Sequence, residues 1–522
     1  MVNSRDRREK DCDQYRTQTP HRVHAGLLAN YHGYSLFYPR ICFQTTQVLV
    51  SNSDSSLPLF VDVDGTLIKS DLMFESVLLL LKRNLIYLLL IPFWLLKGRA
   101  FLKHQLAQRI ELPVERLPLN EEFLAYLVAQ KNAGRSITLI SGSNQASVTR
   151  LGNHLKLFDA AIGSDAQTNL KAAAKLQRIQ ELNTGSFAYA GNSSADLPVW
   201  AAAQQVIMVN CNDALVKQLG NDTILRFDTA ASILHKLWQA MRPHQWLKNL
   251  LVFVPLVLSH QANQIELLML ASIGFISFSL CASSVYLLND MLDLNSDRQH
   301  HSKSQRPFAS GELPLAVGFL AVPGLLLVAF AVALLLPATF LAILFTYWLL
   351  TSLYSFFLKR LFLVDVFTLA VLYTMRIVAG AAAISVITTN FLIAFSLFLF
   401  LGLAMVKRVT ELVNLAESEQ SVVNGRAYGP EHTTLLSLLG SGSSCIAVLV
   451  FALYINAEDT TRLYGSPIVL WLICPLLLCL LARIWLRARA GRLDEDPVLF
   501  AISDRVSQLI TLLCGVLIWI AA

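Results

Sequence analysis

Charge is what this sequence has least of. Asp, Glu, Lys and Arg make up 15% of its 522 residues and hydrophobic types 54%, whereas a soluble domain carries about a quarter charged residues. An ordinary soluble enzyme over the whole length is therefore excluded. The shortage is uneven: long apolar runs are scarce before about residue 240 and follow one another after Trp246. A cysteine framework is missing too. The eight Cys are scattered without zinc spacing, and Cys474 and Cys479 sit inside an apolar run. Neither a disulfide scaffold nor a zinc site is expected, and a reducing compartment is the simplest context. The polar, charged start has no apolar segment behind it, so no signal peptide is expected. The formal charge is +6, but its Lys and Arg lie beside the apolar runs. That is the pattern of a membrane protein held against anionic lipid, and no nucleic-acid partner is expected.

What is present divides into three. Residues 1–56 show no sustained period and predict a disordered extension. Residues 57–230 read as a soluble α/β domain, and residues 231–522 as an all-α polytopic membrane bundle. About nine apolar spans are expected, near 248–259, 266–288, 314–335, 338–357, 363–384, 390–406, 435–456, 466–486 and 505–521. Each approaches bilayer length except the short first one. Basic residues recur at alternate ends: Lys303 and Arg306, Lys359 and Arg360, Lys407 and Arg408, then Arg483, Arg487, Arg489 and Arg492. This predicts that those loops and the N-terminal domain face the cytoplasm of a bacterial-type inner membrane.

In the soluble part, an apolar run ending in Asp62-Val-Asp64-Gly65-Thr66 predicts a buried parallel strand. Such a strand delivers its acids to the sheet's C-terminal edge, where open α/β sheets place their sites. Ile137-Thr-Leu-Ile140 predicts a second strand ending at Ser141. Lys175 opens a helix, with Lys171 as the competing candidate, and Phe187-Ala-Tyr-Ala-Gly191 leads to Asn192 and Asp196. In this order the stretches resemble the haloacid dehalogenase-type phosphatases, which have a Rossmann-like fold with a helical cap. The resemblance implies Asp62 as the nucleophile forming an aspartyl-phosphate and Asp64 as general acid/base. It also implies Ser141 on the phosphate, Lys175 steadying the phosphoryl charge, and Asp62, Asp64, Asn192 and Asp196 around Mg2+. Asn192 stands where that family usually has Asp, so weaker metal binding is expected. Between the first two motifs, residues 78–96 are apolar apart from Lys82-Arg83-Asn84, and the uninterrupted part, 85–96, is too short to span a bilayer. It fits either an interfacial cap helix or a buried core helix.

The membrane part has two polar centres at span ends. Asn289-Asp290-x-x-Asp293-x-x-x-Asp297 closes one apolar run, and a continuing helix would set Asp290, Asp293 and Asp297 on one face. Oxygen ligands in that array suit Mg2+ together with substrate phosphates. Arg298, His300, His301, Lys303 and Arg306 follow as bases for phosphate oxygens. The second centre is Lys407-Arg408-x-x-Glu411, in which Lys407 and Glu411 predict an i, i+4 pair. The whole resembles the UbiA-type intramembrane prenyltransferases, but their usual second aspartate-rich motif is missing. With Lys407-Arg408-x-x-Glu411 in its place, the chain is similar to the decaprenyl-phosphate phosphoribosyltransferases. Arg242-Pro-x-Gln245-Trp246-x-Lys248-Asn249, Arg306-Pro307-x-Ala309-Ser310-Gly311, Tyr354-Ser355-x-x-Leu358-Lys359 and Asp494-Glu-Asp496 carry that likeness further, and His301 departs from a usual Pro.

That resemblance implies Mg2+-dependent transfer of 5-phosphoribose from phosphoribosyl pyrophosphate to a polyprenyl phosphate. Asp290, Asp293 and Asp297 would be the catalytic metal ligands. Lys248, Asn289, Arg298, His300, Lys303, Arg306, Tyr354, Lys359, Lys407, Arg408 and Glu411 would bind substrate. The N-terminal domain would then remove the 5′-phosphate from the lipid-linked product. Competing readings are an aromatic polyprenyltransferase using a prenyl diphosphate, and a non-catalytic scaffold or transporter. The absent second Asp motif counts against the first. Polar groups at span ends, away from the midplane, count against transport. The polyprenyl length and the oligomeric state are not legible in the sequence.

Overall fold

Six short runs rich in Val, Ile, Leu, Ala and Phe form one sheet in a computed structural model that describes residues 57–165, 167–219, 224–228, 232–417, 428–493 and 497–522. The expected extension 1–56, and Asp494 and Asp496, lie outside the described residues. The strands are β1 (Leu59–Val61), β2 (Ile137–Asn144), β3 (Ala160–Ser164), β4 (Ala188–Gly191), β5 (Gln205–Val209) and β6 (Ile224–Phe227). Their order is β3-β2-β1-β4-β5-β6 and every pairing is parallel. Leu59 pairs with Ile137 on one side and Ala188 on the other. β1 is thus a central strand, and all three of its residues are buried, which is why it reads as an unbroken apolar run. Its neighbours β2 and β4 lie on opposite sides, so the chain changes direction at its C-terminal end, the place where such sheets hold ligands.

Three helices leave the sheet after β1: α1 (Leu72–Arg83), α2 (Tyr87–Leu96) and α3 (Arg99–Ala107). The Asp71 carboxylate caps α1 by accepting from the amides of Met73 and Phe74, and Lys82 and Arg83 fall in its last turn, a charge order that suits the helix dipole. No residue of α2 is buried; Phe93 is 64%, Leu89 70% and Leu96 84% exposed. A core helix is therefore excluded, and the interfacial cap remains. Helices α4 (Glu121–Asn132), α5 (Gln145–Leu155), α6 (Ala173–Leu182), α7 (Leu197–Ala202) and α8 (Asp213–Leu219) complete this part, and α9 (Ile233–Met241) leads onward.

The helical part contains α10 (Ile265–Leu292), α11 (Leu294–Asp297), α12 (Leu315–Ala333), α13 (Ala338–Phe356), α14 (Val364–Ala383), α15 (Asn390–Glu417), α16 (Thr433–Ile455), α17 (Ile473–Arg489) and α18 (Arg505–Ala521). Among the described residues seven helices are long and apolar enough to cross a membrane, not nine. The expected first span is a 3-10 stretch, Pro243–Phe253, followed by the short helix Val254–Leu258. Its side chains are pinned sideways: Trp246 Nε1 donates to Ser283 at 2.9 Å and Asn249 to Ser279 at 3.0 Å. Gly380 admits this backbone, since a Cβ there would stand 2.0 Å from the Val252 carbonyl oxygen. The expected last span is α18, apolar but only 17 residues long.

Buried serines on α10 hold its neighbours. Ser277 donates to the Ala329 carbonyl at 2.9 Å and Ser284 to that of Val322 at 2.8 Å, the use of small polar residues general in membrane bundles. Residues Ser55–Ala522 form one compact unit, so the α/β part and the helical part share contacts.

Candidate active sites

The turn after β1 carries Asp62 and Asp64. Asp62 Oδ1 accepts from the Val63 amide at 2.8 Å and stands 3.1 Å from Lys175 Nζ. Asp64 accepts from the Leu72 amide at 2.9 Å, from Ser143 Oγ at 2.5 Å and from Ser141 Oγ at 3.4 Å. Lys175, on α6, is buried between Asp62 and Asp196, whereas Lys171 is exposed. Of the two lysine candidates, Lys175 is the one brought to Asp62. Ser143 holds Asp64 more closely than the expected Ser141. Two hydroxyls two residues apart on one strand share a face, and that signal was readable.

Burial pushes the Asp62 carboxyl up to about 7 against the pull of Lys175, and Asp64 up to about 6, helped by nearby Asp71. Asp196 goes the other way: burial would raise it, but Lys175 and the Tyr189 hydroxyl carry it below the usual range. Its two oxygens accept five hydrogen bonds, from Lys175, Tyr189, the Asn192 and Ser193 amides and Ser193 Oγ. Asp196 thereby anchors Lys175 and the loop as well as standing among the expected metal ligands. Asn192 packs against Gly65, whose added Cβ would meet Asn192 Nδ2 at 1.9 Å. Asp62, Asp64 and the Asn192 carbonyl oxygen are the other donors for Mg2+, a hard-oxygen set that suits it with one charge fewer than an Asp would give.

Lys103, on α3, was not foreseen. It donates to the Gly142 carbonyl and is lowered by burial, against the opposing pull of Asp64 and Asp71. An ammonium at the mouth of an acidic site is placed for a phosphate. Lys103→Ala is expected to raise KM for a phosphomonoester about tenfold with little change in kcat, read by steady-state kinetics.

At the end of α10 the backbone does not continue as one helix. It stops at Leu292, Asp293 caps it, and α11 begins at Leu294. The three carboxylates are consequently split. Asp290 and Asp297 face the same nitrogen, Arg306 Nη1, at 3.1 and 2.7 Å, and Arg242 also donates to Asp290. Asp293 turns to Lys359 Nζ at 2.9 Å and to Lys82 Nζ at 3.5 Å. Burial would raise Asp293, but Lys359 and Lys82 hold it below the usual range; burial raises Asp297 despite Arg306.

Among the described residues no three His, Cys, Asp or Glu stand together as a metal cluster. Asn289 Oδ1, however, is buried there without a hydrogen-bond partner. The two carboxylates that share Arg306 Nη1 and, next to Asp290 in sequence, the orphaned Asn289 amide oxygen are oxygen donors of the kind Mg2+ takes, an ion that leaves positions for phosphates and water.

Several expected substrate contacts are engaged elsewhere. Arg298 points away from the acids to the α/β part, where its two terminal nitrogens meet Glu75 at 2.6 and 3.2 Å and Nε donates to the Ala309 carbonyl. Arg408 is fully buried. It donates to Asp365 at 2.6 Å, to Glu411 at 2.8 Å and to the Tyr354 hydroxyl at 3.2 Å, and Tyr428 donates to the other Asp365 oxygen. Arg408 thus bonds both Tyr354 and Glu411, and Glu411 pairs with Arg408 at i, i+3. Asp365 was missed, although an acid inside an apolar span was itself a signal. Lys248 is buried with Nζ 6.0 Å from the Tyr373 ring centre, Lys407 is half-buried beside Arg408, and His300 and Lys303 are exposed.

The two parts also match separate families. The model of the UbiA prenyltransferase family matches residues 250–504, and that of haloacid dehalogenase-like hydrolases matches residues 59–200. The uncharacterized protein y4nM of Sinorhizobium fredii is 35% identical over 463 residues, 88% of this chain and 89% of that one. The nodulation protein NoeC of Azorhizobium caulinodans is 30% identical over 266 residues, 51% of this chain and 86% of its own length. Decaprenyl-phosphate phosphoribosyltransferase of Mycobacterium tuberculosis is 29% identical over 286 residues, 54% of this chain and 92% of its own length. The class is thus a polytopic membrane transferase carrying a hydrolase-like domain. The chain belongs to the UbiA prenyltransferase family, with a haloacid dehalogenase-like domain at its N-terminus.

Proposed function

We propose that residues 231–522 transfer 5-phosphoribose from phosphoribosyl pyrophosphate to a polyprenyl phosphate, and that residues 57–230 then remove the 5′-phosphate from the lipid-linked product. The observation that carries this reading is the charge at the end of α10. Three carboxylates, Asp290, Asp293 and Asp297, are met by four cations, Arg242, Arg306, Lys359 and Lys82. The surplus positive charge suits a donor bearing a diphosphate and a phosphate. The likeness to decaprenyl-phosphate phosphoribosyltransferase supports the same donor and acceptor.

In this mechanism Asp290 and Asp297, with Asp293 and Asn289 as further oxygen donors at the same helix end, would hold Mg2+, which when bound would neutralise the departing diphosphate. Arg242 and Arg306 exchange their carboxylate partners for diphosphate oxygens. Positive charge then grows on the ribose carbon as the lipid phosphate oxygen approaches, and the fixed cations stabilise the leaving group. Asp365, Glu411 and Tyr354 hold Arg408 and with it the end of α15. In the other part Asp62 attacks the phosphomonoester to form an aspartyl-phosphate, Lys175 and Lys103 face the phosphoryl oxygens, and Asp64 gives the leaving alcohol its proton and then takes one from the water that hydrolyses the aspartyl-phosphate. Both sites lie on the cytoplasmic side of a bacterial-type inner membrane in this reading.

The test uses membranes containing the protein, given polyprenyl phosphate, ribose-labelled phosphoribosyl pyrophosphate and Mg2+. Label is expected in the lipid phase and absent with Asp290→Asn. Unlabelled lipid, with a prenyl diphosphate and an aromatic acid reacting instead, overturns the reading.

A further inference from the structure

The α/β part reaches into the transferase centre through one helix, α1. Its first turn belongs to the phosphatase site, because the Leu72 amide is held by Asp64. Its middle is anchored on the helical part. Glu75 accepts from Ser70 Oγ at 2.6 Å and pairs with both terminal nitrogens of Arg298, and the two side chains are only 3% and 7% exposed. A bidentate, dry pair of this kind fixes orientation as well as contact. Phe74 stacks near Phe319, with ring centres 5.1 Å apart. Close by, Gly311 sits where a Cβ would stand 2.5 Å from Lys69 Cβ, and Lys236 pairs with Glu312 at 2.6 Å.

The last turn of α1 is different. Lys82 Nζ donates to the Leu292 carbonyl at 3.0 Å and lies 3.5 Å from Asp293 Oδ1, on a carboxylate that Lys359 also holds. Lys82 and Asp293 keep side-chain exposures of 33% and 29%, so this pair is open where the Glu75 pair is closed. Both lysines reach Asp293 Oδ1, Lys82 at 3.5 Å and Lys359 at 3.1 Å. Two ammonium groups around one accessible carboxylate leave a net positive spot beside Asp290 and Asp297.

We propose that Lys82, although carried by the hydrolase-like part, is a diphosphate-binding residue of the transferase site, kept there by the Glu75–Arg298 pair. The proposal rests on the phosphoribosyl-transfer reading above. The domain ahead of the membrane bundle then completes the transferase as well as acting on its product. The helix rise of about 1.5 Å per residue puts the two ends of α1 about 15 Å apart. Lys82 and the Asp64 contact at Leu72 therefore belong to different sites.

The alternative is that Lys82 only caps the end of α10 by bonding its last carbonyl. Kinetics of the full-length protein in membranes separate the two. With Lys82→Met, KM for phosphoribosyl pyrophosphate is expected to rise about tenfold while kcat changes by less than about twofold, and Lys82→Arg is expected to restore KM. Magnesium pyrophosphate is expected to raise the unfolding temperature of the wild type and of Lys82→Arg more than that of Lys82→Met, a readout without turnover. Unchanged KM and unchanged pyrophosphate stabilisation in Lys82→Met overturn the proposal. So does an equal loss of kcat in Lys82→Met and Lys82→Arg, which marks a capping role. If the wild type forms no labelled lipid, the phosphoribosyl reading has failed; pyrophosphate stabilisation that still depends on Lys82 then leaves the binding site standing.

Discussion

Arg408→Met is expected to destabilise the purified protein by about 3–5 kcal/mol, the usual cost of stranding one partner of a buried ion pair. Asp365, the partner left behind, has no solvent exposure, and without the guanidinium it keeps only the Tyr428 hydroxyl as a side-chain donor. Glu411 and Tyr354 lose their contact at the same time. Unfolding temperature in detergent is the measurement. Adding Asp365→Asn to Arg408→Met should recover more than half of the loss, because the stranded charge is then gone while Tyr428 still has an oxygen to bond. A double variant as unstable as the single one would mean that packing of the long Arg stem, and not charge, holds this region. An unchanged unfolding temperature in Arg408→Met would mean that the centre is too hydrated to matter.

The second large effect concerns Asp62. Asp62→Asn removes the nucleophile, so phosphomonoesterase activity is expected to fall on the order of 10³-fold or more, and labelled lipid should accumulate with its 5′-phosphate in place. Stability should move in the opposite direction. Burial pushes the folded Asp62 carboxyl up to about 7 from its ordinary value of 3.8. A raised folded value means that the native state holds its proton longer. The contribution is fully present below about pH 4, declines as pH rises between the two values, and is lost above pH 7. At pH 8, without metal, Asp62→Asn should therefore be more stable than the wild type by on the order of a few kcal/mol, and at pH 4 the two should be close. Mg2+ should raise the unfolding temperature of the wild type at pH 8 more than that of Asp62→Asn, which keeps the donors at Asp290 and Asp297. Equal unfolding temperatures at pH 8 without metal would show that Lys175 fully compensates the buried charge.

Which of these groups were legible depended on whether the position on a strand or helix fixed the side chain's direction. Asp62 and Asp64 follow β1, Lys175 lies in the first turn of α6, and Ser141 lies within β2, which runs on to Asn144 past the expected end at Ser141; strand and helix periods fix where such residues point. Arg298 was misread as a phosphate ligand because it follows Asp297; adjacency does not say which way a side chain turns, and its partner Glu75 is 223 residues away. Lys82 was passed over as an interruption in an apolar run, because its acceptor lies 210 residues on. The count of nine spans failed at 248–259 for a different reason. Hydropathy sums apolar residues, but Pro243 and Pro255 and the sideways bonds of Trp246 and Asn249 give that stretch a backbone no bilayer-crossing helix has. The break at Asp293 was likewise invisible to a count of i, i+3 and i+7 spacings.

The bare apolar surface of α2 acts like the float of a gauge. If, as the proposed function implies, this ten-residue helix with no buried side chain lies in the lipid headgroup boundary, then α1 and α3, joined to it, set the mouth of the Asp62 site at a fixed height above that plane. A site held at fixed height meets whatever projects from the bilayer to that level and nothing below it. The hydrolase-like part would accordingly treat short and long polyprenyl chains alike, and any choice of tail length would fall to the helices that hold the tail.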